Sequence, residues 1–376
     1  LMEKALGGPM ERIFINQRCM VSFSINLTNQ SNIIKIIDQF SAFYYSFNES
    51  SLCLNRTPQY LIIHRNEPIS LWDHLQQMQN YENRLSYVTF TPTQTFVTIS
   101  HLIADGSYLK QIFATLSQNS FQKLNLEFFD SYQNYFSDLI SQQNFFEEIP
   151  LIRFKMPRQN HFQLKRVRIQ FPLPDFKNLN EKMNLFVAIL ILKHNQRMKN
   201  SIQTVQTATN SHESTEFQQN KKYCIGNCIN LRQFASTQKE FLNFFTVFYP
   251  RFHFNKKLKI SEQLLEIKSE IKKKIDEKNI FEQLQLFKTE KYLLDGEAQV
   301  EISNLGSFNE EFEYELFVTH SIAIVSITFW TVQGELVVSF QYNHGILEDL
   351  EAQEFLESLK KNVLGNYERV EELMHL

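Results

Sequence analysis

Two adjacent strand-like segments that lead directly into an amphipathic helix are the strongest constraint on the fold of this sequence. Leu85–Phe90 and Gln94–Ser100 are rich in β-branched and aromatic residues, and Thr91-Pro92-Thr93 between them is turn-forming. From Ser107 to Asn119 the apolar residues fall at helical spacing. Segments this close must pair as an antiparallel hairpin whose second strand runs into a helix.

The rest of the sequence alternates helices and hairpins without the strict strand–helix–strand repeat of a parallel sheet. Asn32–Phe47 is predicted as a helix, Tyr223–Leu231 as a strand, and Gln333-Gly334 as the turn of a late hairpin. The pattern predicts an α/β (α+β) fold of two similar lobes, each a mixed, mostly antiparallel sheet flanked by helices. The polar segment Glu147–His161 holds two prolines, so we place the lobes at 1–155 and 156–376.

Composition narrows the class of protein. Of the 376 residues, 43% are hydrophobic and 21% charged, which is enough apolar surface for a packed core. The net charge of -3 provides no basic field for nucleic acid. The longest apolar run, Leu185–Leu192, falls short of the roughly 20 residues that span a bilayer. No signal-peptide core is present and four cysteines are too few for a disulfide scaffold, so we expect a cytoplasmic protein without a transmembrane segment.

The sharpest chemical signal is the pattern His-x-x-x-Asp-Gly at His101, Asp105 and Gly106, where the second strand of the hairpin ends. An imidazole titrates near neutral pH, so His101 can take a proton from an alcohol or amine that attacks a carbonyl. A buried Asp105 would stiffen the turn rather than relay the proton, and Gly106 would let the backbone turn sharply or approach other chain. The alternative is a strand-end histidine followed by an ordinary Asp-Gly turn.

The segment His101-Leu-Ile-Ala-Asp105-Gly106-Ser107 resembles the signature of the chloramphenicol acetyltransferase-like superfamily of CoA-dependent acyltransferases. Further segments resemble that superfamily in the same order along the chain: Leu6–Phe14, Asn230-Leu231-Arg232, Ile302-Ser303-Asn304-Leu305-Gly306, and Gly334–Tyr342. Ser100 stands where condensation domains carry a second histidine, which favours the alcohol acetyltransferase branch. The Asp-Phe-Gly-Trp-Gly motif of the plant enzymes is absent.

The resemblance implies two lobes facing each other across an active-site tunnel, with His101 as the general base. It also implies that Arg232 holds Asp105, although an exposed strand-end arginine is the plain alternative. Ser303 or Asn304 would supply the donor for the oxyanion or line the channel. No covalent acyl-enzyme, metal or tightly bound cofactor is required, and acyl-CoA would be the co-substrate.

We therefore expect a CoA-dependent acyltransferase that moves an acyl group to an alcohol, working as a monomer on acyl-CoA and a small alcohol or amine acceptor. One alternative is a condensation-type enzyme that forms amide bonds from carrier-protein thioesters. A second alternative is a catalytically inactive relative that serves as a binding or assembly subunit.

Other clusters predict less. Cys224 and Cys228 lie four residues apart on one predicted strand, and without further ligands nearby they indicate packing rather than a zinc site. The basic stretch around Lys272–Lys274 could attract CoA phosphates, but a solvated helix face is the commoner explanation.

Overall fold

The structure is a computed structural model, and it describes sixteen ranges of the chain. These are residues 2–5, 19–26, 29–48, 51–78, 84–120, 135–141, 151–152, 154–155, 163–173, 177–205, 222–235, 243–281, 297–317, 323–344, 346–364 and 367–374.

The strands are numbered in chain order: β1 Met2–Ala5, β2 Met20–Ile25, β3 Tyr45–Asn48, β4 Ser51–Leu54, β5 Leu61–His64, β6 Ser86–Phe90, β7 Thr95–Ser100, β8 Leu151–Ile152, β9 Phe154–Lys155, β10 Gln163–Pro172, β11 Lys222–Cys224, β12 Gly226–Asn230, β13 Phe245–Phe248, β14 Arg251–His253, β15 Glu297–Phe308, β16 Glu313–Phe317, β17 Ala323–Val332 and β18 Glu335–His344. The α-helices are α1 Gln30–Ile37, α2 Leu71–Met78, α3 Gly106–Ser117, α4 Ser137–Ser141, α5 Leu179–Val205, α6 Ile260–Asp276, α7 Asp349–Leu364 and α8 Val370–Met374. Short 3-10 turns occupy Ser41–Tyr44 and Leu231–Phe234.

The chain divides into two compact units, and neither is continuous in sequence. Unit 1 combines Leu1–Ser141 with Asn230–Phe245 and Phe308–Ser321, and unit 2 contains the remainder. The predicted contiguous division at residue 155 differs from this one, because two later segments return to complete unit 1. Each unit contains sheets flanked by helices, so the predicted α/β class with two similar halves is confirmed.

Unit 1 is built on a five-stranded sheet with strand order β16-β2-β7-β6-β5. Neighbouring strands run antiparallel except β5 and β6, which are parallel. Every residue of β6 and β7 is buried, so both faces of this hairpin are covered. The predicted hairpin is confirmed: the Thr91 N–H donates to the Gln94 carbonyl over 2.9 Å, which closes the turn.

Helix α3 follows β7 as the spacing of its apolar residues predicts. Tyr108, Leu109, Ile112 and Leu116 lie on its buried face, because residues three and four apart share one side of a helix. Asp105 caps the helix, since its side chain accepts a hydrogen bond from the Tyr108 N–H. The motif therefore lies between two elements that are both fixed by burial.

Unit 2 contains the larger sheet, with strand order β10-β18-β17-β15-β12-β13 and β9 paired to β15. Ten residue pairs join β10 to β18, and β17 pairs antiparallel with β18 through the hairpin turn. The apolar stretch Met183–Leu192 of α5 reads in the sequence as a buried segment, and every one of its residues is buried. A second, three-stranded sheet has the order β14-β11-β8.

Two predicted elements are corrected by the structure. The helix predicted over Asn32–Phe47 ends at Ile37, and the chain then forms the 3-10 turn and β3. The aromatic residues that continued the helical pattern are buried in that turn and strand, where β3 pairs with β4. The strand predicted over Tyr223–Leu231 is interrupted at Ile225, because β11 joins the small sheet and β12 pairs with β15.

No helix in the described ranges is long and apolar enough to cross a membrane. The segment Ser201–Asn220 is rich in Gln, Asn, Ser and Thr, a composition that predicts a flexible loop. Its first residues are helical, since α5 extends to Val205, and residues 206–221 lie outside the described ranges. The sequence also predicts a helix over Phe281–Leu293, which lies outside the described ranges beyond residue 281.

Candidate active site

His101 lies in the tight turn between β7 and α3, within unit 1. Its backbone N–H donates to the Cys19 carbonyl over 2.7 Å, so the sheet register of β2 and β7 continues to this residue. The N–H groups of Ile103 and Ala104 both donate to the Ser100 carbonyl, over 3.0 and 3.2 Å. These bonds turn the chain immediately after the strand, and they fix the backbone that carries the imidazole.

Asp105 is the structural centre of the motif. One carboxylate oxygen, Oδ1, accepts the Tyr108 N–H over 2.8 Å and caps α3. The other, Oδ2, accepts a hydrogen bond from Arg232 Nη1 over 2.8 Å and one from the Phe244 N–H over 2.7 Å. A carboxylate that is only 4% exposed needs such donors, because a buried charge without partners is costly. Both oxygens are occupied, so Asp105 orders the turn, as the sequence predicts.

Arg232 reaches Asp105 from the 3-10 turn that follows β12. The Asn230 side chain accepts the Arg232 N–H over 3.0 Å, and it accepts Nη1 of the same residue over 3.2 Å. The Leu231 N–H donates to the Phe244 carbonyl over 2.9 Å, which joins the turn to the segment before β13. The Asn-Leu-Arg segment thus aims the guanidinium at Asp105, the partner that the resemblance implies.

The segment Asn243-Phe244-Phe245 contacts the motif through each of its three residues, although it carries no recognisable motif of its own. The Asn243 side-chain amide donates to the His101 carbonyl, and Phe244 binds Asp105 through its N–H. The Phe245 ring stacks on the His101 ring with centroids 4.9 Å apart and planes at 26°. In sequence this segment reads only as the start of an apolar strand, so no local signal pointed to it.

The environment of His101 favours a neutral imidazole. The residue is 7% exposed, and burial lowers the pKa of its side chain below the ordinary value of 6.5. The Asp105 charge, and hydrogen bonds to the backbone of His101 and Ala104, act in the opposite direction and raise the pKa. Because burial has the largest effect, the imidazole is unprotonated at neutral pH, which is the state a general base needs.

Gly106 has a plainer role than predicted. It is the first residue of α3, and among the described glycines only Gly306 and Gly334 have positive φ angles. The sharp turn lies before it, at residues 101–104, where the hydrogen bonds to Ser100 form. A left-handed backbone is therefore not the reason for glycine at this position.

Ser303 and Asn304 lie on β15 in unit 2, where neighbouring residues of that unit engage both side chains. Asn304 Nδ2 donates to Asn180 Oδ1 over 2.9 Å, and Asn304 Oδ1 accepts the Gly306 N–H over 2.8 Å. Ser303 forms a hydrogen bond with Cys228, whose pKa is nevertheless raised, above all by burial. Cys224 and Cys228 fall on separate strands and are half-buried, so the prediction that they share one strand is wrong.

Unit 2 also contains a cavity of about 350 Å³ between α5 and α7. Its apolar wall includes Phe186 and Phe355, and its polar edge is an ion-pair cluster. In that cluster Arg197 binds Glu351 over 2.9 Å and Glu354 over 2.8 Å. None of the predicted site residues lines this cavity. Among the described residues, no group of three or more His, Cys, Asp or Glu side chains is arranged to hold a metal ion.

The fold defines the structural class of the chain. No protein-family model matches this sequence, and no curated protein does. Solved structures of condensation domains match nearly the whole chain, so the chain has the fold of condensation domains. A solved epimerization domain matches as well and shares this fold.

Three solved structures illustrate the likeness. The condensation domain from monacolin K polyketide synthase MokA is 12% identical with a TM-score of 0.65, covering 96% of this chain and 97% of its own. The epimerization domain from the third module of tyrocidine synthetase B is 14% identical with a TM-score of 0.63, covering 100% and 98%. The starter condensation domain of rhizomide synthetase RzmA is 9% identical with a TM-score of 0.62, covering 98% of each chain.

Proposed function

We propose that the chain is an acyltransferase in which His101 is the general base. The observation that carries this proposal is a buried imidazole whose burial lowers its pKa, fixed in a motif that Asp105 and Arg232 hold together. The fold supports it, because two of the three solved structures described above are named as condensation domains. The fold alone does not decide the reaction, since the third is an epimerization domain.

The proposed step balances without a cofactor. The acceptor's O–H or N–H gives its proton to a ring nitrogen of His101 as its lone pair attacks the carbonyl carbon of a thioester. The tetrahedral intermediate then collapses with cleavage of the carbon–sulfur bond. The departing thiolate takes the proton back from the imidazolium, and the products are an ester or amide and a free thiol. Asp105 takes no part in the proton transfer and keeps the turn in place.

Two pairs of acyl donor and acceptor are open to this mechanism, and one experiment separates them. Transfer from acyl-CoA to an alcohol rests on the segments that resemble alcohol acetyltransferases and on Ser100, which stands in place of a second histidine. Amide formation from a carrier-protein thioester rests on the names of the similar structures. We favour the condensation type, because the similar condensation domains cover 96–98% of the chain.

Ser303 is the better candidate for the oxyanion donor. Asn304 already uses one amide N–H and its carbonyl within unit 2, so moving it would break two hydrogen bonds. Ser303 has a hydroxyl that can rotate from Cys228 toward another acceptor. Removing an oxyanion donor costs about 10²–10³ in kcat, so Ser303→Ala should show a loss of that order.

Thiol release tests the proposal directly. The purified chain is given acyl-CoAs and acyl-pantetheine thioesters, each with an alcohol or an amine, and free thiol and acylated product are measured. His101→Ala should lower the rate by about 10²-fold or more. His74→Gln is the matched control, because His74 is another buried histidine of unit 1 that lies outside the motif.

Equal rates for wild type and His101→Ala would remove His101 from the mechanism. Product with amines and pantetheine thioesters alone would support the condensation type, and product with alcohols and acyl-CoA would support the acetyltransferase type. Thioester binding without turnover by the wild type would instead indicate the inactive relative.

A further inference from the structure

The side chains of Asn243 and Phe245 contact the same residue, His101, from one short segment. Asn243 is bound to the His101 carbonyl and Phe245 is stacked on the His101 ring. Between them, the Phe244 N–H is bound to Asp105, so the segment cannot shift without breaking a buried hydrogen bond. All of these contacts lie within unit 1.

We propose that Asn243 and Phe245 are positioning residues that hold the His101 imidazole in its reactive orientation. This inference rests on the proposed function, since it assigns the residues that act through the proposed base. Neither residue belongs to the motifs singled out in the sequence.

The amide of Asn243 acts on the backbone. His101 is the first residue after β7, and its N–H is already held by Cys19. Asn243 holds the carbonyl on the other side of the same residue, and its amide lies 3.5 Å from the Leu102 carbonyl. With both backbone groups bound, the Cα–Cβ bond of His101 has a fixed direction, which sets where the ring can lie.

The ring of Phe245 acts on the side chain. Near-parallel planes at 26° and a centroid separation of 4.9 Å leave the imidazole covered on one face. Rotation about the Cβ–Cγ bond would drive the imidazole edge into the phenyl ring, so the stack fixes the plane of the ring. Hydrogen bonds to the backbone of His101 and Ala104 then distinguish the two edges of the ring within that plane.

Unit 1 offers a second histidine–phenylalanine stack with nearly the same geometry. His74 and Phe96 have centroids 4.9 Å apart and planes at 28°. His74 is on α2, outside the motif, so this pair reports what loss of such a stack does to stability alone. Phe96→Leu is therefore the matched control for Phe245→Leu.

The titration of the His101 ring provides a measurement that needs no substrate. The charged group that acts on the ring is Asp105, which pairs with Arg232, and Cys19 contacts His101 through backbone groups. Burial is the largest influence on the His101 pKa. Phe245→Leu uncovers one face of the ring to water, so the His101 pKa should rise toward its ordinary value.

The test compares Phe245→Leu, Asn243→Ala and Phe96→Leu by histidine NMR titration and by steady-state kinetics. The first two variants should lower kcat about 10-fold or more with little change in KM, since misplacement of a catalytic group affects mainly the transition state. Phe245→Leu should also move the acid limb of the kcat–pH profile to higher pH. Phe245→Tyr, which keeps the stacked ring, should restore both. Phe96→Leu should lower stability and leave the His101 titration and kcat unchanged.

Two results would overturn the inference. One is an unchanged His101 titration and kcat in Phe245→Leu and Asn243→Ala. The other is an equal loss of kcat in Phe96→Leu, which would show a general structural effect. If Phe245→Leu does not fold, the half-exposed Asn243 still permits the comparison. Failure of the proposed function is distinguishable, because His101→Ala would then keep its activity while the NMR titration still reports on the stack.

Discussion

Arg232 and Asp105 form a 2.8 Å ion pair across 127 residues of sequence. Asp105 is almost fully buried, whereas 23% of the Arg232 side chain is exposed. The pair therefore joins a late segment of the chain to the motif-bearing turn. The same carboxylate caps α3 and binds the Phe244 N–H. Its loss would therefore loosen α3, the 3-10 turn that carries Arg232 and the segment before β13 at once.

Breaking this pair should destabilise the protein. We expect Arg232→Met to lower the free energy of unfolding by about 1–3 kcal/mol, because the buried carboxylate loses its cationic partner. Urea unfolding of the single variants and of Asp105→Asn with Arg232→Met gives the coupling energy. Arg369→Met is the control, since its pair with Glu371 is exposed and should be worth less than about 1 kcal/mol. Equal stability of Arg232→Met and wild type would contradict the prediction.

His74 should make the protein sensitive to acid. Burial lowers its pKa to about 3, and the positive charge of Arg65 contributes in the same direction. The unfolded chain takes up a proton near pH 6.5 and the folded chain does not, so stability is full above that pH and falls between 6.5 and about 3. The slope from this one group is about 1.4 kcal/mol per pH unit.

Substituting His74 by Phe tests this linkage while keeping a ring beside Phe96. Unfolding midpoints of both proteins are measured from neutral pH down to roughly pH 4, and the slope of stability against pH is compared over that range. The variant should lose stability less steeply than the wild type as the pH falls. Parallel curves for the two proteins would show that His74 does not remain neutral in the folded state.

Glu351 should contribute stability that is likewise lost in acid, but over a lower pH range than that of His74. Burial acts to raise its pKa, but hydrogen bonds from His194, the Glu348 backbone and Arg197 together outweigh it, so the pKa falls to about 2. Its stabilising effect is therefore complete above its ordinary pKa of 4.5 and is lost as the pH falls toward 2. We expect Glu351→Gln to cost about 1–3 kcal/mol at neutral pH. Its unfolding curve should approach that of wild type in acid, and a constant difference would refute the assignment.

The turn between β17 and β18 should respond in opposite directions to two substitutions. Gln333 and Gly334 have φ angles of 50° and 85°, the left-handed pair of a tight hairpin. Gly334→Ala should lower the unfolding free energy by about 1 kcal/mol, because a Cβ is disfavoured in that region. Gln333→Asn should be neutral or stabilising, since Asn tolerates positive φ. Thermal unfolding of both variants tests this prediction. Unchanged stability of Gly334→Ala would contradict the left-handed conformation of Gly334 in this turn.

Local features of the fold were predictable from the sequence. The hairpin β6–β7, helix α3 and the buried stretch of α5 each follow from spacing within a dozen residues. The helix predicted over Asn32–Phe47 failed because its aromatic residues suit a buried turn and a strand as well as a helix. Tertiary pairing of β3 with β4 decides between those options, and local propensity does not record it.

The candidate site was predictable only in part. His101 and Asp105 lie within one short pattern, and the resemblance supplied Arg232. Asn243 and Phe245 are more than 140 residues from His101 in sequence, as the separation of 142 for Asn243 shows. Nothing in a stretch of Asn and Phe indicates which backbone carbonyl or ring it will meet, because that depends on where β13 starts in three dimensions.

The edge of the unit 1 sheet has a consequence for biosynthesis. Strand β16, residues 313–317, pairs with β2, residues 20–25, so one side of β2 has no partner until late in translation. At about 5–20 residues per second that interval is on the order of tens of seconds. Throughout it a nascent chain presents open N–H and C=O groups on an apolar strand, a template for unwanted pairing. Ribosome-associated chaperones would therefore protect the chain most before residue 313 emerges. Low temperature, which slows aggregation, would help in the same interval.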